Sequence, residues 1–269
     1  MRFPAKALTP TRFAEAFGVF VARSLEYPQI ITQLVRVTQE CSPGYACFDV
    51  GAGTGMVVRD WIAAGGRLPG RFVALEPNAE HIRALETELA ELGCETRLID
   101  APFAADFSMD ESFDLIYFSH SCYWFTQPIE CLLNAYQALK PGGRLVVIHQ
   151  SPLGFYPFYT LYNPLLERDR PDGQDNALSS HELVAGLRNA GFSPRYVIEP
   201  SWMRMNGIFD EASQDELDQF VSFLLQAEFS QMNDQFRADA IQYLKAACVE
   251  IDDELVISHP TACIELVKE

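Results

Sequence analysis

The stretch Tyr45-Ala46-Cys47-Phe48-Asp49-Val50-Gly51-Ala52-Gly53-Thr54-Gly55 decides the fold. An apolar strand, Tyr45 to Val50, runs into three glycines at alternate positions, and a helix-patterned segment, Met56 to Ala64, follows at once. Glycine has no Cβ, so the backbone can turn sharply and a ligand can lie against the main chain. The first turn of the helix then offers N–H groups with no partner inside the helix. Strand, glycine loop and helix in this order predict a nucleotide-type cofactor site. The spacing is G-x-G-x-G; a dinucleotide site wants a later third glycine for its pyrophosphate.

Working outward, the apolar pattern predicts more strands alternating with helices. Arg71 to Leu75 is a second strand, closed by Glu76-Pro77. Asn78 can cap a helix over Ala79 to Leu92, and Gly93 stops it. Thr96 to Ile99 is a third strand ending at Asp100, and Phe113 to Phe118 a fourth. A helix over Pro128 to Leu139 leads through Pro141-Gly142-Gly143 into a fifth strand, Arg144 to His149. This alternation predicts a parallel sheet with right-handed crossovers.

Upstream, Phe13, Phe17, Phe20 and Val21 mark one amphipathic helix, and Ile30, Ile31, Leu34 and Val35 another, with Pro28 between them. Downstream come an aromatic tract and polar loop over 151–178, then a capping box, Ser179 with Glu182, for a helix to about Ala190. Ser193 to Ile198 reads as a sixth strand. Two inserted helices follow, one through Leu217 to Leu225 and one through Phe236 to Leu244. Ala262 to Val267 closes the chain as a strand. The expected organisation is an N-terminal helical lid at 1–44, a core at 45–200, a helical insertion at 201–258 and the last strand at 259–269.

At roughly 150 residues per domain, 269 residues make one large domain or one with insertions. The hydrophobic fraction of 48% suffices for a sizeable core. A formal net charge of −17 argues against nucleic acid and anionic membranes, and favours cationic ligands by steering. No signal peptide and no membrane-spanning run of about 18 apolar residues are expected. The seven cysteines include no C-x-x-C pair, so a reduced, cytoplasmic monomer is expected.

Gly51, Gly53 and Gly55 after the first strand, Glu76 after the second, Asp100 after the third and Lys140-Pro141-Gly142-Gly143 before the fifth form an ordered set. The set resembles the class I S-adenosylmethionine-dependent methyltransferases, over residues 45–150. The resemblance implies a Rossmann-like seven-stranded α/β sheet with an antiparallel last strand. It also implies S-adenosylmethionine as cofactor and S-adenosylhomocysteine as its product. Glu76 would accept hydrogen bonds from both ribose hydroxyls, and Asp100 and Ala101 would flank the adenine. The glycine loop with Asp49, together with Pro77, His81 and Ser119, would complete the cofactor site.

Outside the sheet the chain looks like the histamine N-methyltransferase group. The N-terminal helices, the run from Phe113 to Phe125, the insertion and the tail carry that likeness. It implies that Glu26 binds the amine end of a small substrate. The family's glutamine at the fourth strand tip falls on His120 here, and its asparagine before the last strand falls at His259 or Pro260. Both departures put histamine itself in doubt and keep a small cationic substrate. His120 and Glu26 are then the candidate catalytic residues, with His120 as proton acceptor or orienting group. Tyr123, Trp124 and Phe155 could stabilise a cation through their ring faces.

No metal is expected. The strand tips read Ser119-His120-Ser121 and Gln150-Ser151, without the carboxylates of catechol-type enzymes, and His120, Cys122 and His149 fit no structural zinc spacing. The Asn/Asp-Pro-Pro-aromatic motif of enzymes that methylate nucleic acids and proteins is also absent from the fourth strand tip. Alternatives stay open: oxygen, sulfur or carboxylate acceptors, a non-catalytic cofactor-binding protein, and a nicotinamide-dependent oxidoreductase. The last lacks an evident Tyr-x-x-x-Lys set.

Overall fold

The computed structural model describes residues 2–167 and 177–269. The chain divides into two compact units. One is Pro28–Gln150, Gly173–Glu199 and Thr261–Glu269; the other is Met1–Tyr27, Ser151–Asp172 and Pro200–Pro260.

The first unit is built on seven strands: β1 (Ala46–Val50), β2 (Arg71–Leu75), β3 (Glu95–Ile99), β4 (Phe113–Ser119), β5 (Leu139–Gln150), β6 (Arg195–Glu199) and β7 (Thr261–Val267). They lie in the order β3-β2-β1-β4-β5-β7-β6. The first five are mutually parallel, and β7 runs antiparallel to both β5 and β6. This is the expected mixed α/β sheet. The strand order reverses beside β1, so the chain leaves the carboxyl ends of β1 and β4 in opposite directions and opens a crevice there.

Burial explains the sheet. Cys47, Phe48 and Val50 of β1 and Val146, Val147 and Ile148 of β5 are buried, as strands covered on both faces must be. One face packs Phe48, Val50, Leu75, Phe118 and Val147 with Leu132 and Leu187 of flanking helices. On α3 (Met56–Ala63), Trp61 sets its indole edge-on to Phe72 and Tyr117. Helix α4 (Ala79–Glu91) starts as expected, with Asn78 Oδ1 accepting from Glu80 N–H at 3.0 Å, and Gly93 follows it at φ 77°.

Helix α2 (Tyr27–Glu40) sends Arg36 to Glu265 of β7 at 3.0 Å. Arg144 and Arg195 grip the same carboxylate. Burial alone would raise the Glu265 pKa, yet the arginines hold it below the usual value.

The second unit contains α1 (Pro10–Arg23), α6 (Tyr156–Tyr162), α8 (Gln214–Leu225) and α9 (Asp234–Ala247). Phe13, Phe17 and Phe20 of α1 pack on Phe223 of α8 at centroid separations of 5.7, 5.6 and 4.5 Å. Three short strands, Trp202–Arg204, Val249–Ile251 and Glu254–Ser258, form an antiparallel sheet with the last in the middle. The insertion is therefore not wholly helical. Its hairpin turns through Asp252 and Asp253, at φ 50° and 64°. An Asn-Gly pair would have announced such a turn, and an Asp-Asp pair does not. The aromatic tract also contains a helix, α6, with Pro157 in its first turn.

The expected segments divide differently from these units. Most of α2 counts with the sheet, tied there by Arg36, while 151–167 belongs with the helical unit. The expected polar loop falls largely on 168–176, outside the described residues. Strand β5 starts at Leu139 rather than Arg144, because Gly142 N–H and Gly143 C=O bond to Lys268.

Helix α7 (Ser180–Asn189) opens on the predicted cap: Glu182 accepts from Ser179 N–H at 2.7 Å and from its hydroxyl at 2.9 Å. Removing this acceptor orphans a buried donor. Glu182→Ala should cost about 1 kcal/mol, read as a lowered urea midpoint at unchanged slope.

Candidate functional site

The carboxyl ends of β1 and β2 are stitched together. Leu75 C=O accepts from Gly51 N–H at 2.9 Å and Ala52 N–H at 3.0 Å. Gly51 stands at φ 82°, and a Cβ there would lie 2.6 Å from Ser121 Cβ. Ser121 itself donates to Val50 C=O at 2.7 Å, so loop and β4 tip close on each other only across a glycine. Gly53, at φ 58°, looks into open space, and Gly55 begins α3.

Glu76 is 6% exposed, and its two oxygens are both engaged. Oε2 accepts from Gly53 N–H at 2.8 Å and Oε1 from Asn78 N–H at 2.9 Å, with His81 Nδ1 3.6 Å away. Burial raises this carboxyl, but His81 and the two N–H groups outweigh it, and its pKa sits below the ordinary value. Glu76 is thus a charged carboxylate at neutral pH. A carboxylate has about four acceptor positions, so about two stay available to a diol.

The other expected cofactor residues lie at the ends of neighbouring strands or just after them. Pro77 is exposed beside the Asn78 cap, and His81 serves as a partner of Glu76. Asp100 is exposed and Ala101 half-buried at the end of β3. Ser119 ends β4 opposite Ile148 of β5.

Asp49 is 2% exposed, and one oxygen takes the Tyr117 hydroxyl in a short hydrogen bond. Among the described residues the other oxygen, Oδ1, has no hydrogen-bond partner. Burial pushes the carboxyl up to about 8, the Tyr117 hydrogen bond opposes this, and the Glu76 charge adds to it. The sequence placed Asp49 at the loop but gave no signal of Tyr117.

His120 is a non-glycine residue at φ 51°, pinned by its N–H to Ile148 C=O at 2.9 Å. Such backbone gathers at functional sites when neighbours enforce it. Its ring lies 6.2 Å from that of His149, which in turn lies 5.3 Å from Tyr123. His149 is fully buried, with Nε2 3.0 Å from Leu178 C=O. Trp124 is exposed and meets Tyr123 edge-on. The sequence reading gave His149 no role.

In the helical unit, Glu26 and His259 are each 4% exposed, with Oε2 and Nε2 3.1 Å apart. Phe155 lies 5.2 Å from the His259 ring and Phe20 stands edge-on at 5.5 Å. His259 N–H donates to Ser201 C=O, which fixes its backbone. Three expected substrate residues, Glu26, Phe155 and His259, are therefore neighbours. His120, Tyr123 and Trp124 belong to the sheet unit. Phe20 joins the first group; in the sequence it read only as helix core.

Residues 48–147 match a family described as "Methyltransferase domain". An uncharacterised methyltransferase of Schizosaccharomyces pombe is 24% identical over 219 residues, covering 76% of this chain and 84% of that protein. The ubiquinone/menaquinone biosynthesis C-methyltransferase UbiE of Ruegeria is 32% identical over 129 residues, covering 45% of this chain and 50% of that protein. Among solved structures, the N-methyltransferase NodS of Bradyrhizobium japonicum, in complex with S-adenosylhomocysteine, aligns with TM-score 0.52 at 12% identity, covering 96% of this chain and 98% of that one.

Asp49 carries a testable consequence. A carboxyl whose pKa is raised on folding stabilises the protein below its unfolded value and loses that contribution as pH rises through its folded value. Unliganded protein should lose thermal stability between about pH 5 and pH 8 more steeply than Asp49→Asn, measured by melting across that range.

Glycine loop, charged strand-end carboxylate and sheet order thus agree with the match over residues 48–147 to a family described as a methyltransferase domain.

Proposed function

We propose that this protein transfers a methyl group from S-adenosylmethionine to the nitrogen of a small amine or amino-acid-like molecule. The observation that carries the acceptor side is the buried Glu26–His259 pair with Phe20 and Phe155 around it. A carboxylate shielded from water binds an ammonium group through a charge-assisted hydrogen bond, and aromatic faces add cation–π attraction. The likeness to the histamine N-methyltransferase group supports the same assignment for Glu26.

On the cofactor side, the residues present fit the group. Gly53 leaves open space, Asp49 Oδ1 is a buried acceptor, and Glu76 retains acceptor capacity for a ribose. Glu76 would hold the ribose, the loop of Gly51, Gly53 and Gly55 the methionine portion, and Asp100 with Ala101 the adenine. Asp49, Pro77, His81 and Ser119 complete this set. When bound, S-adenosylmethionine supplies an electrophilic methyl on a sulfonium, and displacement there depends mainly on alignment. His120, with its backbone fixed, takes the proton of an amine arriving as ammonium or orients its lone pair. Tyr123 and Trp124 offer ring faces to the cation. We assign the protein to the cytoplasm, as a monomer.

One observation favours a second reading. The UbiE match names a carbon acceptor, and carbon, oxygen or sulfur nucleophiles would use the same cradle.

The first test is thermal shift with S-adenosylhomocysteine beside NAD and NADP. Only the first should stabilise the protein. Glu76→Gln should weaken S-adenosylhomocysteine at least about tenfold, as loss of one charge-assisted hydrogen bond implies. With labelled donor and a panel of amines, phenols, thiols and carbon acids, amines should be methylated. Glu26→Gln should raise the amine KM while cofactor affinity stays unchanged. Stabilisation by NAD alone, or methylation confined to non-amines, would sink the respective half of the reading.

A further inference from the structure

Tyr117 lies on β4 directly opposite Asp49 of β1 in the parallel register. Facing residues on neighbouring strands point to the same side of the sheet, so the phenol reaches the carboxyl beneath the glycine loop. Tyr117 is fully buried, and its ring is held edge-on by Trp61 at a centroid distance of 5.4 Å. Its hydroxyl donates to Asp49 Oδ2, and Oδ1 has no partner among the described residues. A buried acceptor two residues before Gly51 is otherwise an unexplained cost.

We propose that Tyr117 is a positioning residue for the methyl donor: its hydroxyl takes up one oxygen of Asp49 and leaves the other to a cationic group of the bound donor. This rests on the cofactor reading given above and adds to it a residue that never touches the ligand. The ligand group is the α-ammonium, which S-adenosylmethionine and S-adenosylhomocysteine share.

The surroundings make the pair sensitive to pH. Tyr117 faces Asp49 from β4, Glu76 from the end of β2, and Cys47 from β1 itself. His81 stands beside Glu76, and among the described residues no cation acts on the Asp49 carboxyl itself. Burial therefore favours the protonated carboxyl, and the phenol hydrogen bond pulls the other way. A bound ammonium stabilises the carboxylate further, so ligand binding expels a proton. Affinity should climb as pH rises toward the value of about 8 to which burial pushes the free carboxyl. Losing the hydroxyl removes the opposing influence and moves the climb to higher pH.

The experiment is calorimetric titration of S-adenosylhomocysteine from about pH 6 to about pH 9, in buffers of differing ionisation heat. Wild-type protein should bind more tightly with rising pH and release a proton. Tyr117→Phe should bind about tenfold more weakly near pH 7, with its curve displaced upward by about one pH unit. Asp49→Asn should give a flat curve, and adding Tyr117→Phe to it should change affinity less than about twofold. A folded Tyr117→Phe protein with the wild-type curve would overturn the proposal. So would an Asp49→Asn protein that keeps the pH dependence, a result that decides the matter even where Tyr117→Phe fails to fold. A flat wild-type curve with measurable binding sinks this inference alone. No binding at any pH sinks the cofactor reading beneath it.

Discussion

The candidate cofactor site depends on one carboxylate. Glu76 follows β2, and its two oxygens hold Gly53 N–H and Asn78 N–H. One bond fixes the middle of the glycine loop, and the other fixes the residue that caps α4. A single buried charge thus sets the loop above β1 and the start of the next helix together. Burial raises its pKa, and His81 with the two backbone donors outweighs that and makes the charge tolerable at this depth. The same arrangement leaves acceptor positions over, so the ribose-binding role proposed for Glu76 would draw on lone pairs that the structural bonds do not use.

Two acids a few residues apart in space are treated in opposite ways. Glu76 receives N–H groups and His81 and stays charged. Asp49 receives only a phenol and is pushed up to about 8. Environment assigns the difference, since the side chains differ by one methylene. Under the proposed ribose role, Glu76 would offer neutral hydroxyls a permanent acceptor. Asp49 is poised to respond to charge, because a positive neighbour is what it lacks.

The sheet was legible because its rules are local. Glycine spacing, Asn78 and Gly93 as punctuation, and the Ser179 with Glu182 cap each follow from backbone geometry that one residue type satisfies. All were found where expected. The hairpin through Asp252 and Asp253 was not legible, because positive φ there is imposed on residues that merely tolerate it. Short strands such as Trp202–Arg204 carry too few residues for a period to show. At the site, each first residue of a pair could be read from a motif. Its partner could not: Tyr117 for Asp49, Ser121 for the Gly51 loop and Phe20 for His259 are set by tertiary packing.

Glu26 and His259 illustrate what the pairing changes chemically. In the sequence, Glu26 reads only as a carboxylate in the N-terminal helical region. With His259 Nε2 3.1 Å away, it is half of a buried carboxylate–imidazole pair. Phe20 and Phe155 pack against the imidazole, and in such dry surroundings a contact between carboxylate and ring counts for more than it would in water.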